Sequence, residues 1–361
     1  MGKVTIDDDY TYKGYRLVII ENDYLKIVVL PEKGADIYQF LDKKNNIDFL
    51  WKTPMGLREK VKDIPAGYGN ESNFTDSYEG GWQMVFPNGG SSCCYKGVNL
   101  EMCGDAQTCS WKYRIIKNGP DCVKVAFETE THRLPFKLQR IMEVRKDESV
   151  MKMKEIIQNN SNEPMEYMWG QHIAFEGDLI RDGNWQIRVP CYKVYTNTGA
   201  LAEQTKPPAG NRKCRLPSNG EFTWPKVTGA DGSLVDLSLI PREEDQSCDI
   251  AYLHELSKGW YALVNETEEL AFHFSWPEEV FPYVWYYQNF KGSFGYPWYG
   301  RGNGIALEPI TSYPALGLQE AILRENHRVI EAREEIKADF SARVIHGRDQ
   351  INKYTNGRNQ I

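Results

Sequence analysis

Short runs of β-branched and aromatic residues follow one another along the chain, separated by clusters of Gly, Pro, Asn and Asp. Residues 15–20 and 25–30 are one such pair, and the polar residues 21–23 between them predict a hairpin. The same rhythm predicts further strands at 123–129, 137–144, 151–158, 165–169, 185–189, 260–265 and 270–275. Many short strands joined by turn residues favour a sandwich or a barrel, and therefore an all-β fold.

Helical signals are few. Residues 312–324 are predicted to form a short helix or turn, and residues 329–338 have helix-forming composition but could equally close the last strand pair. The chain shows no βαβ alternation, which argues against a doubly wound sheet or a TIM barrel. The Pro- and Gly-rich residues 206–226 are a candidate linker, but a long surface loop is favoured. We therefore expect residues 1–361 to form a single domain.

The charge and hydropathy of the chain indicate which molecules the protein is expected to bind and where it is expected to be located. The net charge of −7 repels phosphate backbones, so no nucleic-acid partner is expected. No run of about 18 apolar residues predicts a membrane helix, and the first residues lack the pattern of a secretory signal. The expected location is the cytoplasm, and the eight cysteines are therefore expected to be free thiols.

Two residues could carry acid–base chemistry. His172 lies at the end of an aromatic-rich predicted strand, and Glu308 interrupts the apolar run Gly304-Ile305-Ala306-Leu307 before Pro309. A carboxylate is costly to bury unless it is paired, and burial would raise its pKa toward the range of a general base. Each residue also has a structural explanation: a hydrogen-bonded core histidine, or a glutamate on the outer face of its strand.

Motifs for cofactors are missing from the sequence. His172 and Glu176 share a segment, but two ligands do not make a metal site, and no HExxH, paired CxxC or EF-hand loop is present. No GxGxxG, Walker A or GxSxG motif is found either. The glycine-rich residues 295–304 carry aromatic side chains and an arginine, which is more typical of a substrate loop than of a phosphate cradle. No metal and no cofactor is predicted.

Several tryptophans stand beside turn residues rather than inside apolar runs. An aromatic face can stack on the apolar face of a sugar ring, but a large β core also uses many aromatic residues. Composition alone leaves both explanations open for Trp82, Trp111, Trp169, Trp285 and Trp298.

Taken together, these segments resemble the galactose mutarotase-like family, and bacterial aldose 1-epimerases in particular. The matching pieces run through nearly the whole chain in the family's order. They are GADI at 34–37, GGWQMVFPN at 80–88, CGDA at 103–106 with Trp111, residues 159–175 with GQH at 170–172, DIAYL at 249–253, GWYAL at 259–263, PWYGR at 297–301 and ALEP at 306–309.

The resemblance implies a large antiparallel β-supersandwich that binds a small carbohydrate in an open cleft, as a monomer or homodimer. It implies that Glu308 removes the proton of the anomeric hydroxyl and that His172 protonates the ring oxygen. The ring then opens, the C1–C2 bond rotates, and the ring closes on the other face of the carbonyl. The matching motifs also supply candidate substrate-binding residues, namely Asn88, Cys103, Gln171, Asp249, Trp298 and Arg301.

One position departs from the family pattern. Cys103 stands where the family usually has a second histidine. A neutral thiol is a weak donor and cannot replace an imidazolium. The departure leaves three functions open: slower epimerisation or epimerisation of a different sugar, another isomerase or lyase reaction on a modified sugar or glycoside, and non-catalytic carbohydrate binding.

Overall fold

Strands dominate the molecule. The computed structural model describes residues 2–60, 72–196, 212–242 and 244–355. Strands account for 51% of the residues and helices for 7%, whereas an average globular protein has more helix than strand. The all-β prediction is therefore confirmed.

The strands of the described residues are short, and most join their neighbours in antiparallel pairs. In chain order they are β1 (Thr5–Asp7), β2 (Thr11–Tyr12), β3 (Tyr15–Arg16), β4 (Val18–Glu21), β5 (Leu25–Leu30), β6 (Asp36–Asp42), β7 (Ile47–Asp48), β8 (Trp82–Val85), β9 (Cys93–Tyr95), β10 (Val98–Leu100), β11 (Lys112–Gly119), β12 (Cys122–Glu130), β13 (Phe136–Arg145), β14 (Val150–Asn159), β15 (Met165–Tyr167), β16 (Gly170–Glu176), β17 (Trp185–Arg188), β18 (Cys191–Thr196), β19 (Gly220–Thr223), β20 (Lys226–Thr228), β21 (Leu234–Asp236), β22 (Ser247–Leu256), β23 (Trp260–Asn265), β24 (Leu270–Ser275), β25 (Tyr283–Phe290), β26 (Asn303–Ile310), β27 (Arg328–Ile330) and β28 (Glu335–His346).

Two large sheets contain most of these strands. The first has twelve strands in the order β1-β4-β5-β6-β8-β16-β26-β25-β22-β18-β19, with β7 paired to β6. The second has eight strands in the order β11-β12-β13-β14-β28-β24-β23-β17. Four two-stranded pairs complete the set: β2-β3, β9-β10, β15-β27 and β20-β21.

The two sheets pack face to face around one large cluster of buried apolar side chains. Phe272 of β24 contacts Phe40 of β6 and Phe175 of β16, with ring centroids 5.4 and 5.1 Å apart. In β13 every second residue is buried, as expected for a strand with one face on the core. Burying each large apolar side chain contributes about 1.5–3 kcal/mol, which makes this interface the main source of stability.

A buried polar cluster also joins the sheets. Glu155 of β14 accepts hydrogen bonds from Arg140 Nε at 2.8 Å, Trp169 Nε1 at 2.9 Å and Gln171 Nε2 at 2.7 Å. Glu155 and Arg140 are both fully buried. A charged pair tolerates such burial only with further hydrogen bonds. Here Trp169 and Gln171 donate to the second oxygen of Glu155, and Arg140 Nη1 donates to the carbonyl of Ala35 at 2.7 Å.

Helices are short and lie at the ends of strands. They are α1 (Ser72–Ser77), α2 (Gly177–Ile180), α3 (Leu318–Leu323) and α4 (Arg348–Thr355). None of the helices in the described residues is long and apolar enough to cross a membrane.

The local predictions have mixed outcomes. The predicted hairpin is present, because β4 pairs with β5 and Asn22 Oδ1 accepts from the backbone N–H of Tyr24 and Leu25 in the turn. Within residues 312–324 the helix is confined to α3, and residues 329–338 contribute to β27 and β28 instead. Residues 206–211 of the candidate linker lie outside the described residues. The remainder, residues 212–226, is described and contains β19. All eight cysteines are free, as expected.

Candidate active site

A cavity lies on the face of the first sheet that points away from the second sheet. The empty space between its lining residues, counted out into the open mouth, is about 870 Å³. Strand alternation separates this face from the core: in β16, Ile173 and Phe175 belong to the core cluster, whereas His172 and Ala174 line the cavity. The floor consists of residues of β16, β26, β25 and β22, with His172 and Ala174 of β16 and Trp285 and Tyr287 of β25 at alternate positions.

His172 and Glu308 are brought together by the pairing of β16 with β26. The register pairs Ile173 with Leu307 and Ala174 with Ala306, so its continuation places His172 directly opposite Glu308. Residues opposite each other in an antiparallel pair project from the same face. The His172 Nε2 atom lies 3.8 Å from Glu308 Oε1, and both side chains line the cavity.

Burial shifts the pKa values of Glu308 and His172 in the directions that favour the neutral form of each side chain. Removal from water raises the pKa of Glu308 to about 8 and lowers the pKa of His172 to about 4. Between these two values the pair holds one proton in total, with the carboxyl neutral and the imidazole neutral. One proton shared by two adjacent groups is what a reaction needs when it removes one proton and delivers another.

Small residues beside the pair create the space for a ligand. Ala174 and Ala306 face each other next to His172 and Glu308. At Gly304 a Cβ atom would lie 2.7 Å from the carbonyl oxygen of Phe175 and 3.1 Å from the ring of Trp51. A side chain at Gly304 would therefore displace the tryptophan that forms the adjacent wall.

Aromatic side chains form the walls. Trp51 and Trp298 lie against each other with ring centroids 5.2 Å apart, and Tyr78 contacts the His172 ring edge-on at 5.4 Å. Of the tryptophans singled out from the sequence, Trp285 and Trp298 line the cavity. The other three, Trp82, Trp111 and Trp169, do not line the cavity and are buried in the hydrophobic core.

Cys103 lines the same cavity as His172 and Glu308. Its backbone N–H donates to the carbonyl of Gly90 at 2.9 Å, and its φ of 57° lies in the left-handed region before Gly104. Burial, together with the nearby Glu308, raises the pKa of the Cys103 thiol to about 12. The side chain is therefore a neutral thiol, as expected, and does not supply a positive charge.

Gln171 and Asn88 do not line the cavity, and the protein uses their polar atoms. Gln171 points between the sheets, where it donates to Glu155 and accepts from Trp82 Nε1 at 2.8 Å. Asn88 donates to the carbonyls of Ser91 and Glu101 and accepts from the N–H of Leu318 at 2.7 Å. Gln171 therefore connects the sheets and Asn88 holds a loop, so their geometry does not support direct binding of substrate.

Asp249 and Arg301 also lie away from the cavity. Asp249 is fully buried and accepts from the backbone N–H groups of Arg215 and Leu216 at 2.8 and 3.0 Å and from Arg215 Nε at 3.2 Å. Its neighbour Ile250 lines the cavity, so alternation directs Asp249 to the other face. Arg301 is exposed, and its backbone N–H closes a turn onto the carbonyl of Trp298 at 2.9 Å.

The cavity also contains residues that the sequence did not single out. They come from loops and from other strands, and they include Trp51, Phe74, Tyr78, Arg212 and Tyr287. Arg212 is the arginine of the cavity wall, in place of Arg301. Within the described parts of the chain, no group of three or more His, Cys, Asp or Glu residues is arranged to hold a metal ion.

Comparisons with known proteins identify the fold. No family model and no curated protein sequence matches the chain. Solved structures do match: a candidate aldose 1-epimerase from Klebsiella pneumoniae subsp. pneumoniae has a TM-score of 0.67 and 13% identity, covering 99% of this chain and 88% of that chain. A galactose mutarotase-like protein from Clostridium acetobutylicum has a TM-score of 0.63 and 12% identity, covering 96% and 99%.

A third similar structure is a galactose mutarotase-like protein from Lactobacillus casei, with a TM-score of 0.58 and 13% identity, covering 91% of this chain and 100% of that chain. These identities are low, so the likeness concerns the fold alone. The chain has the galactose mutarotase-like fold, which confirms the expected β-supersandwich.

Proposed function

We propose that this protein is an aldose 1-epimerase-like isomerase that interconverts the α and β anomers of a sugar. The observation that carries the proposal is the 3.8 Å separation of His172 Nε2 and Glu308 Oε1 inside an aromatic-walled cavity. The two oxygens that the reaction must treat differently, the anomeric hydroxyl and the ring oxygen, are bonded to the same carbon. Two adjacent side chains can therefore each reach one of them.

In the proposed mechanism Glu308 accepts the proton of the anomeric hydroxyl while His172 donates a proton to the ring oxygen, and the bond between C1 and the ring oxygen breaks. Rotation about C1–C2 and the reverse transfers close the ring as the other anomer. Ring opening leaves Glu308 protonated and His172 neutral, which is the protonation state that burial favours in the empty cavity. Hydroxyl groups of a bound sugar would donate to Glu308 and stabilise the carboxylate that starts the reaction.

The aromatic walls support a sugar as the ligand. Trp51 and Trp298 present ring faces and edges beside the acid–base pair. The apolar C–H faces of a pyranose pack on such surfaces, and the hydroxyls remain available for hydrogen bonds.

A second candidate is an isomerase or lyase that acts on a modified sugar or glycoside. The neutral Cys103 thiol in the place of a histidine and the cationic Arg212 in the cavity wall favour it, because both change which substituents the cavity can bind. We also propose a single domain, a small carbohydrate as the partner, a monomer or homodimer, and a cytoplasmic location.

The test is the rate of exchange between the α and β anomers of galactose and glucose, measured by NMR exchange spectroscopy. We expect the wild type to accelerate exchange over buffer and Glu308→Gln to abolish the acceleration. No acceleration of either sugar by the wild type would reject hexose mutarotation and direct the search to modified sugars or to binding alone.

A further inference from the structure

Tyr78 lies directly after α1 and packs against His172. Its ring is stacked on Phe74 with centroids 5.0 Å apart, and it meets the His172 ring edge-on at 5.4 Å. Trp51 and Trp298 contact the same ring at 6.2 Å each. The tyrosine is thus part of the cavity wall that is next to the acid–base pair.

The hydroxyl of Tyr78 is buried and has no hydrogen-bond partner among the described residues. Most buried hydroxyls in proteins are hydrogen-bonded, because an unpartnered one costs about 1–3 kcal/mol. An unpartnered donor in the wall of a cavity is readily explained when the partner arrives with a ligand.

Burial and the neighbouring charges keep the Tyr78 phenol protonated. Burial is the main reason why the pKa of Tyr78 is well above its usual value, and Glu308 is the next largest cause. Tyr287 and Cys103, which also line the cavity, raise it further, as does Glu79. The phenol therefore stays protonated and keeps its donor at physiological pH.

The backbone around Tyr78 is held at several points. Thr53 Oγ1 donates to the carbonyl of Tyr78 at 2.9 Å, and the N–H of Thr53 donates to the carbonyl of Glu79 at 3.0 Å. The Glu79 carboxylate forms a buried ion pair with Lys33. These contacts fix the ring before any ligand binds, which is what a preorganised hydrogen-bond donor requires.

We propose that the Tyr78 hydroxyl binds the substrate and donates a hydrogen bond to the anomeric oxygen, which gains negative charge as Glu308 takes its proton. This inference rests on the proposed function. The Tyr78 hydroxyl would supply the hydrogen-bond donor that the neutral thiol of Cys103 supplies only weakly. No proton leaves the phenol: the anomeric proton moves to Glu308, the proton of His172 moves to the ring oxygen, and Tyr78 stabilises the charge between these transfers.

The test compares two variants that each remove one hydroxyl. Tyr78→Phe keeps the ring and its packing. Tyr261→Phe is the matched control, because the Tyr261 hydroxyl is also buried without a described partner but belongs to the core between the sheets. Anomer exchange by NMR gives kcat and KM, tryptophan fluorescence gives sugar binding, and thermal unfolding verifies that both variants fold.

We expect Tyr78→Phe to lower kcat/KM by about 10- to 100-fold, the loss typical of a hydrogen bond to a charged group, mainly in kcat. Its melting temperature should equal or exceed that of the wild type, because the variant removes a buried hydroxyl that has no partner among the described residues. Tyr261→Phe should match the wild type. Equal activity of Tyr78→Phe and wild type would overturn the role of Tyr78 and leave the proposed function intact.

Two further outcomes separate the proposals. If the wild type binds sugar without accelerating exchange and Tyr78→Phe binds more weakly, mutarotation is rejected and Tyr78 stands as a ligand-binding group. If the wild type neither binds galactose or glucose nor accelerates exchange, both proposals are overturned for these sugars.

Discussion

His172 and Glu308 face each other across two hydrogen-bonded strands, with Nε2 and Oε1 3.8 Å apart. Both are fixed by the register of a central strand pair rather than by loops. A slip of β16 by one residue along β26 would turn His172 into the core and separate it from Glu308, so correct pairing of the strands also assembles the pair.

Removal of either member of the pair should abolish most of the activity. We expect Glu308→Gln and His172→Gln each to lower kcat by about 10²- to 10⁴-fold, the usual contribution of a general acid or base. The double variant should be little slower than either single one, because the two groups act as a unit. Glu335→Gln, on an exposed position of the second sheet, is the control and should match the wild type.

The pH dependence of kcat/KM should be bell-shaped. The pair must hold one proton, so activity should fall below about pH 4, where His172 and Glu308 are both protonated, and above about pH 8, where neither is. Exchange rates between pH 3.5 and 9.5, corrected for the buffer rate, provide the measurement. A flat profile across this range would contradict the shared proton.

Glu308→Gln should also change how stability depends on pH. The pKa of Glu308 is raised in the folded state to about 8, above its unfolded value of about 4.3. Its contribution is therefore fully present below the unfolded pKa and is lost as the pH rises through 8. The glutamine does not titrate, so the variant should gain about 3–5 kcal/mol over the wild type between pH 4 and pH 9. Urea unfolding at both pH values measures this difference, and equal pH slopes for the two proteins would refute it.

Gln171 should matter for stability and not for substrate binding. Gln171→Ala leaves Glu155 with one donor fewer and the Trp82 indole N–H without its acceptor, at a cost of about 2–4 kcal/mol. Gln139→Ala, on the outward side of β13, is the matched control and should cost much less. If Gln171→Ala raised KM without changing the melting temperature, Gln171 would be a substrate-binding residue after all.

Cys103 should be unreactive. Its thiol is buried with a pKa of about 12, whereas Cys94 is exposed. Iodoacetamide at pH 8 should therefore alkylate Cys94 rapidly and leave Cys103 unmodified in a peptide mass map, since the thiolate is the reactive form. Cys103→Ser should retain activity within about tenfold. Rapid labelling of Cys103 with loss of activity would instead indicate a nucleophile.

The all-β class could be predicted from the sequence for a physical reason, because strands have a short-range signal in their β-branched and aromatic residues. His172 and Glu308 each interrupt such a segment, but the residues alone left a structural role open for both, and the family resemblance singled out the pair. Gln171 and Asp249 were grouped with the site because they belong to matching motifs. Strand alternation could have separated them, because Gln171 cannot face the same side as its neighbour His172.

The residues of the cavity walls could not be predicted from the sequence in the same way. Trp51 follows β7 and Tyr78 follows α1, so both reach the site through turns whose geometry has no periodic signature. Only the folded chain places them beside β16. Arg212 likewise lies between β18 and β19, outside any strand, and pairs with Ser293 in an isolated bridge.

The alternation of β16 and β26 has a consequence for how such a protein diversifies. In these two strands alternate residues line the cavity or pack between the sheets, so the wall residues Trp51, Trp298 and Arg212 can change without altering the sandwich interior. New ligand preferences can therefore accumulate by mutation of the walls without a change to the packing between the two sheets. A library of variants at these three positions would test how the walls determine sugar selectivity while the two sheets stay unchanged.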